Sequence, residues 1–246
     1  MSVEQLAELV RGRQPCVALT GAGISTESGI PDFRSPTGIW AQVDPMEVAS
    51  IDGFLADPEK VWEFYGKRLD VLAEAQPNDG HRALAELEAR GWLRAVITQN
   101  VDRLHERAGT RELVEVHGSI RTASCLDCGE TVPSEEVVRM LPLPRCPQCG
   151  RVLKPDVVMF GELLDEETMA RAAELAAEAG LLLVVGSSLE VYPVAWLPGE
   201  TLAAGGSLAI VNRDETQYDA RASVRIAAGA GETLRALADA LPDVRE

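Results

Sequence analysis

Four of the five cysteines in this chain of 246 residues form two matched pairs, Cys125-x2-Cys128 and Cys146-x2-Cys149. A Cys-x2-Cys turn brings two sulfurs to one point, and the 17 residues between the pairs allow two such turns to complete a tetrahedron of thiolates. Gly129 and Gly150 each follow a pair, where a zinc knuckle needs a residue free to take positive φ. Two disulfides or a redox dithiol are the competing chemistries, and the likeness of the pairs to each other favours one zinc ion. Four protein ligands leave no open coordination position, so this zinc is expected to be structural. Cys16 lies in an apolar run and is expected to pack as a small core residue.

A second stretch with chemical potential is Thr20-Gly21-Ala22-Gly23-Ile24-Ser25-Thr26, preceded by the apolar run Pro15-Cys16-Val17-Ala18-Leu19-Thr20. Strand, Gly-x-Gly and a Ser/Thr-rich turn form the arrangement by which a Rossmann-type unit meets a pyrophosphate. Gly21 permits the tight turn, Gly23 keeps Cβ away from the phosphate oxygens, and Ser25 or Thr26 is placed to cap a following helix. Thr26 stands where the usual third glycine would be, so the loop alone is equally a plain strand-to-helix turn. Thr98-Gln99-Asn100-Val101-Asp102 and Val116-His117-Gly118 supply polar groups at the ends of two more apolar runs. Strand ends that carry such groups deliver them to a cleft, although Asn and Asp also cap helices.

These groups need a scaffold, and the apolar pattern describes one. Strands are expected over Leu93–Asn100, Leu113–Gly118, Leu181–Gly186 and Ser207–Asn212, alternating with amphipathic helices near residues 3–12, 165–178 and 232–240. Alternation of this kind argues for an α/β protein with a Rossmann-like, doubly wound parallel sheet. Two stretches interrupt it. Residues 35–90 read as mostly helical, with Asp57-Pro58 as a helix start, and residues 121–152 carry the cysteines and few aliphatic side chains. The expected organisation is a nucleotide-binding domain from 1–34, 91–120 and 153–246, with a helical insertion at 35–90 and a zinc ribbon at 121–152 forming a smaller domain.

Composition narrows the partners. The 39 acidic residues outnumber 23 Lys and Arg, for a net charge of −16. That argues against a nucleic-acid or anionic-membrane footprint, while leaving lysine-rich protein segments acceptable. No run is apolar enough to span a bilayer and the first residues lack a basic start, so a cytoplasmic protein is expected, as monomer or weak oligomer.

Taken together, Gly21-Ala22-Gly23-Ile24-Ser25, Gly29-Ile30-Pro31-Asp32-Phe33-Arg34, Thr98-Gln99-Asn100-Val101-Asp102, His117-Gly118, the two cysteine pairs, Leu153 through Glu162, Gly186-Ser187-Ser188-Leu189 and Val211-Asn212 occur in an order that resembles the sirtuin family of NAD-dependent protein lysine deacylases. The resemblance implies NAD+ as co-substrate. Gly21, Ala22, Gly23, Thr26, Phe33 and Arg34 would line its phosphates and nicotinamide ribose. Gln99, Asn100, Val101 and Asp102 would hold that ribose and the carboxamide. Gly186, Ser187 and Ser188 would approach the phosphates, with Asn212 and Ala230 at the adenosine. His117 would be the general base, suited by an unperturbed pKa of about 6.5. In this family the acyl oxygen attacks C1′ and expels nicotinamide; the products are free lysine, nicotinamide and O-acyl-ADP-ribose. Val157, Val158, Phe160 and Gly161 on one side and Val191 on the other would receive the acyl-lysine segment as an added strand.

Tyr65 and Arg68 share a face of the helix after Asp57. By spacing alone they are a core-edge tyrosine and a solvated arginine. Tyr-x2-Arg at this point is similar to the sirtuin subgroup that removes succinyl and malonyl groups, where a guanidinium fork pairs with the acyl carboxylate. Ala49 matches the small residue that leaves that pocket room. Mono-ADP-ribosyl transfer and a non-catalytic NAD-sensing module are the alternatives: His117 favours deacylation over the first, and the presence of every polar residue the chemistry needs counts against the second.

Overall fold

The computed structural model describes residues 1–243. Among the described residues nine strands build two sheets: β1 (Cys16–Thr20), β2 (Ala95–Thr98), β3 (Leu113–Glu115), β4 (Gly118–Cys125), β5 (Thr131–Pro133), β6 (Leu153–Val157), β7 (Leu181–Val185), β8 (Ser207–Val211) and β9 (Val224–Ile226). The first sheet has the order β3-β2-β1-β7-β8-β9, with every pairing parallel. Chain order therefore reverses between β1 and β7, the switch point at which open α/β sheets bind ligands beyond their carboxyl ends. Strands buried on both faces need apolar side chains throughout, and every residue of β1, β2, β7 and β8 is buried.

Helices cover both faces. Leu6 and Val10 of Val3–Gly12, Leu84 and Leu87 of Asp79–Ala89, and Leu234 and Leu237 of Ala230–Ala240 pack on one side. Leu175 of Glu166–Glu178 and Leu197 pack on the other. The helix Asp79–Ala89 falls inside the stretch read from sequence as an insertion, yet its apolar face belongs to the parallel-sheet core. It lies on the connection from β1 to β2, and a parallel crossover needs a helix returning along the sheet.

The second sheet is antiparallel, in the order β5-β4-β6, so residues 118–120 and 153–157 pair away from the parallel sheet, although the sequence grouped them with it. Its core is shared with the helix Pro58–Glu74, which starts where Asp57 accepts from the Lys60 amide. Trp62 is almost completely buried there, and its indole Nε1 donates to the Leu153 carbonyl at 2.7 Å. One bond thus ties the helical stretch to the cysteine-bearing sheet. The strand expected at 113–118 ends at Glu115, because Gly118 turns the chain at φ 71° into β4. No helix among the described residues is long and apolar enough to cross a membrane.

Candidate active site

The loops after β1 and β7 meet at the switch point. The Gly21 amide donates to Val185 O at 3.1 Å, and the Gly23 amide donates to Gly186 O at 2.8 Å. A Cβ on Gly23 would lie 2.7 Å from Gly186 Cα, and one on Gly186, at φ 60°, only 2.3 Å from Ile24 N. The missing Cβ atoms therefore serve first to let two loops pack backbone to backbone, and that contact leaves an open cradle above the strands. Residues Ala22–Ser28 form a 3₁₀ turn without a side-chain cap, contrary to the capping role expected of Ser25 or Thr26. Thr26 instead donates to Gly23 O at 3.0 Å.

Ser25 has a different task. Its hydroxyl donates to Asp102 Oδ2 at 2.7 Å and accepts from Asn100 Nδ2 at 3.1 Å, while the same amide donates to Gly21 O at 3.1 Å. Asp102 also accepts from the Leu104 amide at 2.9 Å. Burial raises the pKa of Asp102, and the bonds from Leu104 and Ser25 pull the other way. The polar end of β2 is thereby locked to the glycine loop. Gln99 Nε2 extends the connection to Ser187 Oγ at 2.9 Å.

His117 sits between β3 and β4, with Nδ1 at 3.2 Å from Gln99 O. A carbonyl only accepts, so the neutral ring carries its proton on Nδ1 and keeps the Nε2 lone pair as a base. Burial lowers its pKa below the usual 6.5, against the Gln99 bond and helped by Arg34. Phe33 stacks on Trp40 with centroids 4.9 Å apart, and Arg34 pairs with Glu190 across the opening at 3.1 Å.

Tyr65 and Arg68 reach the same space from the helix Pro58–Glu74. Burial pushes the Tyr65 hydroxyl up to about 12, so it remains a donor at neutral pH. The Arg68 guanidinium lies over Phe33 at 5.0 Å and Phe64 at 5.6 Å, with no carboxylate in ion-pair contact among the described residues. Burial lowers its pKa, while Tyr65 and Asp102 act in the opposite direction, and a guanidinium stays charged throughout. A half-buried cation held by aromatic faces is an open receptor for an anion.

All non-cysteine site residues singled out from the sequence line one cleft of about 550 Å³. Behind it lie polar side chains that the sequence did not mark. His105 Nε2 is 2.9 Å from Thr20 Oγ1, which donates to Thr98 Oγ1 at 2.8 Å, and Thr98 Oγ1 accepts from the Asn100 amide at 3.1 Å. His81 lies 3.4 Å from Ser25 Oγ and is 4.8 Å, ring to ring, from His105. The only available signal was Asn78 capping the helix that carries His81, a local pattern silent about what the ring touches.

The four cysteines converge as their spacing predicts. Cys125 and Cys149 sulfurs are 3.4 Å apart, Cys128 and Cys146 sulfurs 3.5 Å, and all four lie within 4.8 Å of one another. A tetrahedral zinc with bonds of about 2.3 Å separates its sulfurs by roughly 3.8 Å, so the set fits one ion. Gly129 and Gly150 both take φ 76°, and each amide donates back to the first cysteine of its pair, at 3.0 and 2.9 Å.

A parallel sheet in this strand order, with a glycine loop and polar strand ends at its switch point, defines a dinucleotide-binding protein with an attached zinc ribbon. The chain belongs to the Sir2 family, whose description matches residues 21–193. It is 46% identical over 234 residues, 95% of this chain and 94% of the relative, to NAD-dependent protein deacylase 2 of Pyrobaculum aerophilum. It is 47% identical to an NAD-dependent protein deacetylase of Caldivirga maquilingensis, across 93% and 89% of the two chains. Among solved structures, a Sir2 bound to a p53 peptide and NAD+ superimposes with a TM-score of 0.90 at 38% identity, covering 97% and 98%.

Proposed function

We propose that this protein removes acyl groups from lysine side chains of other proteins at the expense of NAD+, giving nicotinamide and O-acyl-ADP-ribose. One observation carries the reading: a neutral His117, with Nε2 free, lines the same cleft as the Ser25–Asn100–Asp102 network and the glycine cradle. Bound NAD+ supplies the electrophilic ribose carbon. The chain's own residues do the rest. The glycine loops shape the phosphate cradle: the Gly21, Gly23 and Gly186 amides are taken by backbone carbonyls, and those of Ser187 and Ser188, uncommitted among the described residues, are left for the phosphates. Asn100 and Asp102, fixed through Ser25, hold the nicotinamide end. Phe33 and Trp40 shield the reacting carbon from water, and His117 takes the proton from a ribose hydroxyl. Relatives named deacylases and deacetylases, and a neighbour bound to a propionylated peptide, support acyl-lysine as the substrate class.

The acyl preference follows from Arg68. Its lack of an ion-pair partner among the described residues and the adjacent Tyr65 donor favour acidic acyl groups, succinyl or malonyl, beside acetyl. Ala49, buried against the same cleft, leaves the room they need. The segments around Val157–Gly161 and Val191 form the two walls for the peptide, and the small domain comprises the helices between residues 45 and 74 with the β5-β4-β6 sheet. The deciding experiment is nicotinamide release across a panel of acyl-lysine peptides with His117→Ala as control. Nicotinamide release that needs no acylated peptide, or O-acyl-ADP-ribose formation that survives His117→Ala unchanged, overturns the assignment.

A further inference from the structure

Lys154 is a lysine where lysines are rare, with only 8% of its side chain accessible. An ammonium has three N–H donors, and here each has a partner: Pro155 O at 3.0 Å, Val157 O at 2.9 Å and Glu162 Oε2 at 2.9 Å. The same Glu162 oxygen accepts from the Met159 amide at 2.8 Å, and the Glu162 amide donates to Met159 O at 3.0 Å. Gly161, at φ 88°, closes that turn. One buried ion pair thus holds both ends of the stretch from Val157 to Glu162.

Between those ends, the backbone is shared with the rest of the site. Val158 N donates to His117 O at 2.9 Å, Phe160 N donates to Ala49 O at 2.8 Å, and Ile51 N donates to Phe160 O at 3.0 Å. The carbonyls of Val158 and Gly161 carry no hydrogen bond among the described residues, which leaves them available to a strand laid alongside. A buried ion pair is a poor source of stability, because desolvation offsets most of the attraction. Its value lies in geometry: two carbonyls and one carboxylate oxygen converge on a single ammonium, and that oxygen also accepts from the Met159 amide, so the path of the chain between them is closely constrained.

We propose that Lys154 is a positioning residue for the acyl-lysine peptide, acting through Glu162 to hold the Val157–Glu162 wall in its receptive shape. This rests on the reading of that wall as the substrate strand's partner. The test uses the full chain and compares wild type, Lys154→Met/Glu162→Leu, Glu162→Gln and Lys154→Arg. Removing both charges together avoids a lone buried ion, so the double variant is expected to unfold within a few degrees of wild type. Its KM for an acetyl-lysine peptide is expected to rise at least about tenfold, with KM for NAD+ within about twofold, the split that distinguishes positioning from general damage. Glu162→Gln, which keeps an acceptor but loses the charge, is expected to show a smaller rise with the same split. Lys154→Arg, which can restore the ion pair, is expected to recover most of the peptide affinity, read also by fluorescence polarisation of a labelled peptide. An active double variant with unchanged peptide KM, or equal rises in both KM values, overturns the role of Lys154 while the substrate assignment stands. A wild type that releases no nicotinamide from any acyl-lysine peptide overturns the assignment itself, and the inference with it.

Discussion

Replacing Arg68 with methionine separates acidic from neutral acyl groups. The guanidinium is held between Phe33 and Phe64 and faces the cleft without a carboxylate partner among the described residues, so a succinyl carboxylate would be its first one. Hydrogen bonds to charged groups contribute about 1.5–3 kcal/mol each, and stranding one member of a buried pair costs about 3–5 kcal/mol. Partial exposure of the site reduces this, which leaves about 2–4 kcal/mol, or roughly 30–1,000-fold in kcat/KM for a succinyl-lysine peptide. An acetyl group cannot pair with Arg68, and methionine preserves much of the buried volume, so kcat/KM for the matched acetyl peptide is expected to change by no more than about threefold. Arg68→Lys keeps the charge but loses the planar fork, and recovers only part of the succinyl activity. The assay is nicotinamide release from the two peptides at saturating NAD+. Equal losses on both peptides, or succinyl activity that survives Arg68→Met, refute the reasoning.

Three further outcomes are expected. Burial holds His117 below 6.5, and only the neutral ring accepts a proton, so the acid limb of kcat/KM should have its midpoint below 6.5; a midpoint above that value contradicts the assigned environment. His81, lowered to about 4 by burial, and His105, held well below 6.5 by burial and by His81, bind protons in the unfolded chain as pH falls through 6.5, where the fold keeps them neutral. Stability should therefore fall as pH drops through 6.5, by about 2 kcal/mol at pH 5 for His81, and urea titrations should show that His105→Phe weakens this pH dependence; an unchanged pH dependence in the variant counts against it. Chelation of zinc, or Cys146→Ser, should lower the melting temperature and peptide binding together, because the thiolate cluster closes the sheet that carries Lys154; a zinc-free protein with wild-type melting would show the cluster to be dispensable.

Several features were legible in the chain because they are local. The Cys-x2-Cys pairs and their glycines encode knuckles of a few residues each, and both knuckles formed with the same φ at Gly129 and Gly150. The apolar runs at Cys16–Thr20 and Leu181–Val185 read as strands buried on both faces, and they became neighbours. Boundaries were less legible. The helix Asp79–Ala89 carries the same amphipathic pattern whether it packs on an insertion or on the parallel sheet, and only the crossover from β1 to β2 decides between them. Ser25 looked like a cap because Ser caps helices, until the turn proved to be 3₁₀ and its hydroxyl went to Asp102, 77 residues away.

What the sequence determined by itself, then, was the inventory: residue types, their spacing over one or two turns, and the alternation of strand and helix. Tertiary structure decided the partnerships. His105 with Thr20, His81 beside Ser25, and Lys154 with Glu162 rely on a hydrogen or ionic bond whose members are brought together by a turn or a parallel crossover. Periodicity records which way a side chain faces, not what waits there. A buried polar group must find a partner, but which one depends on where the rest of the chain has already packed.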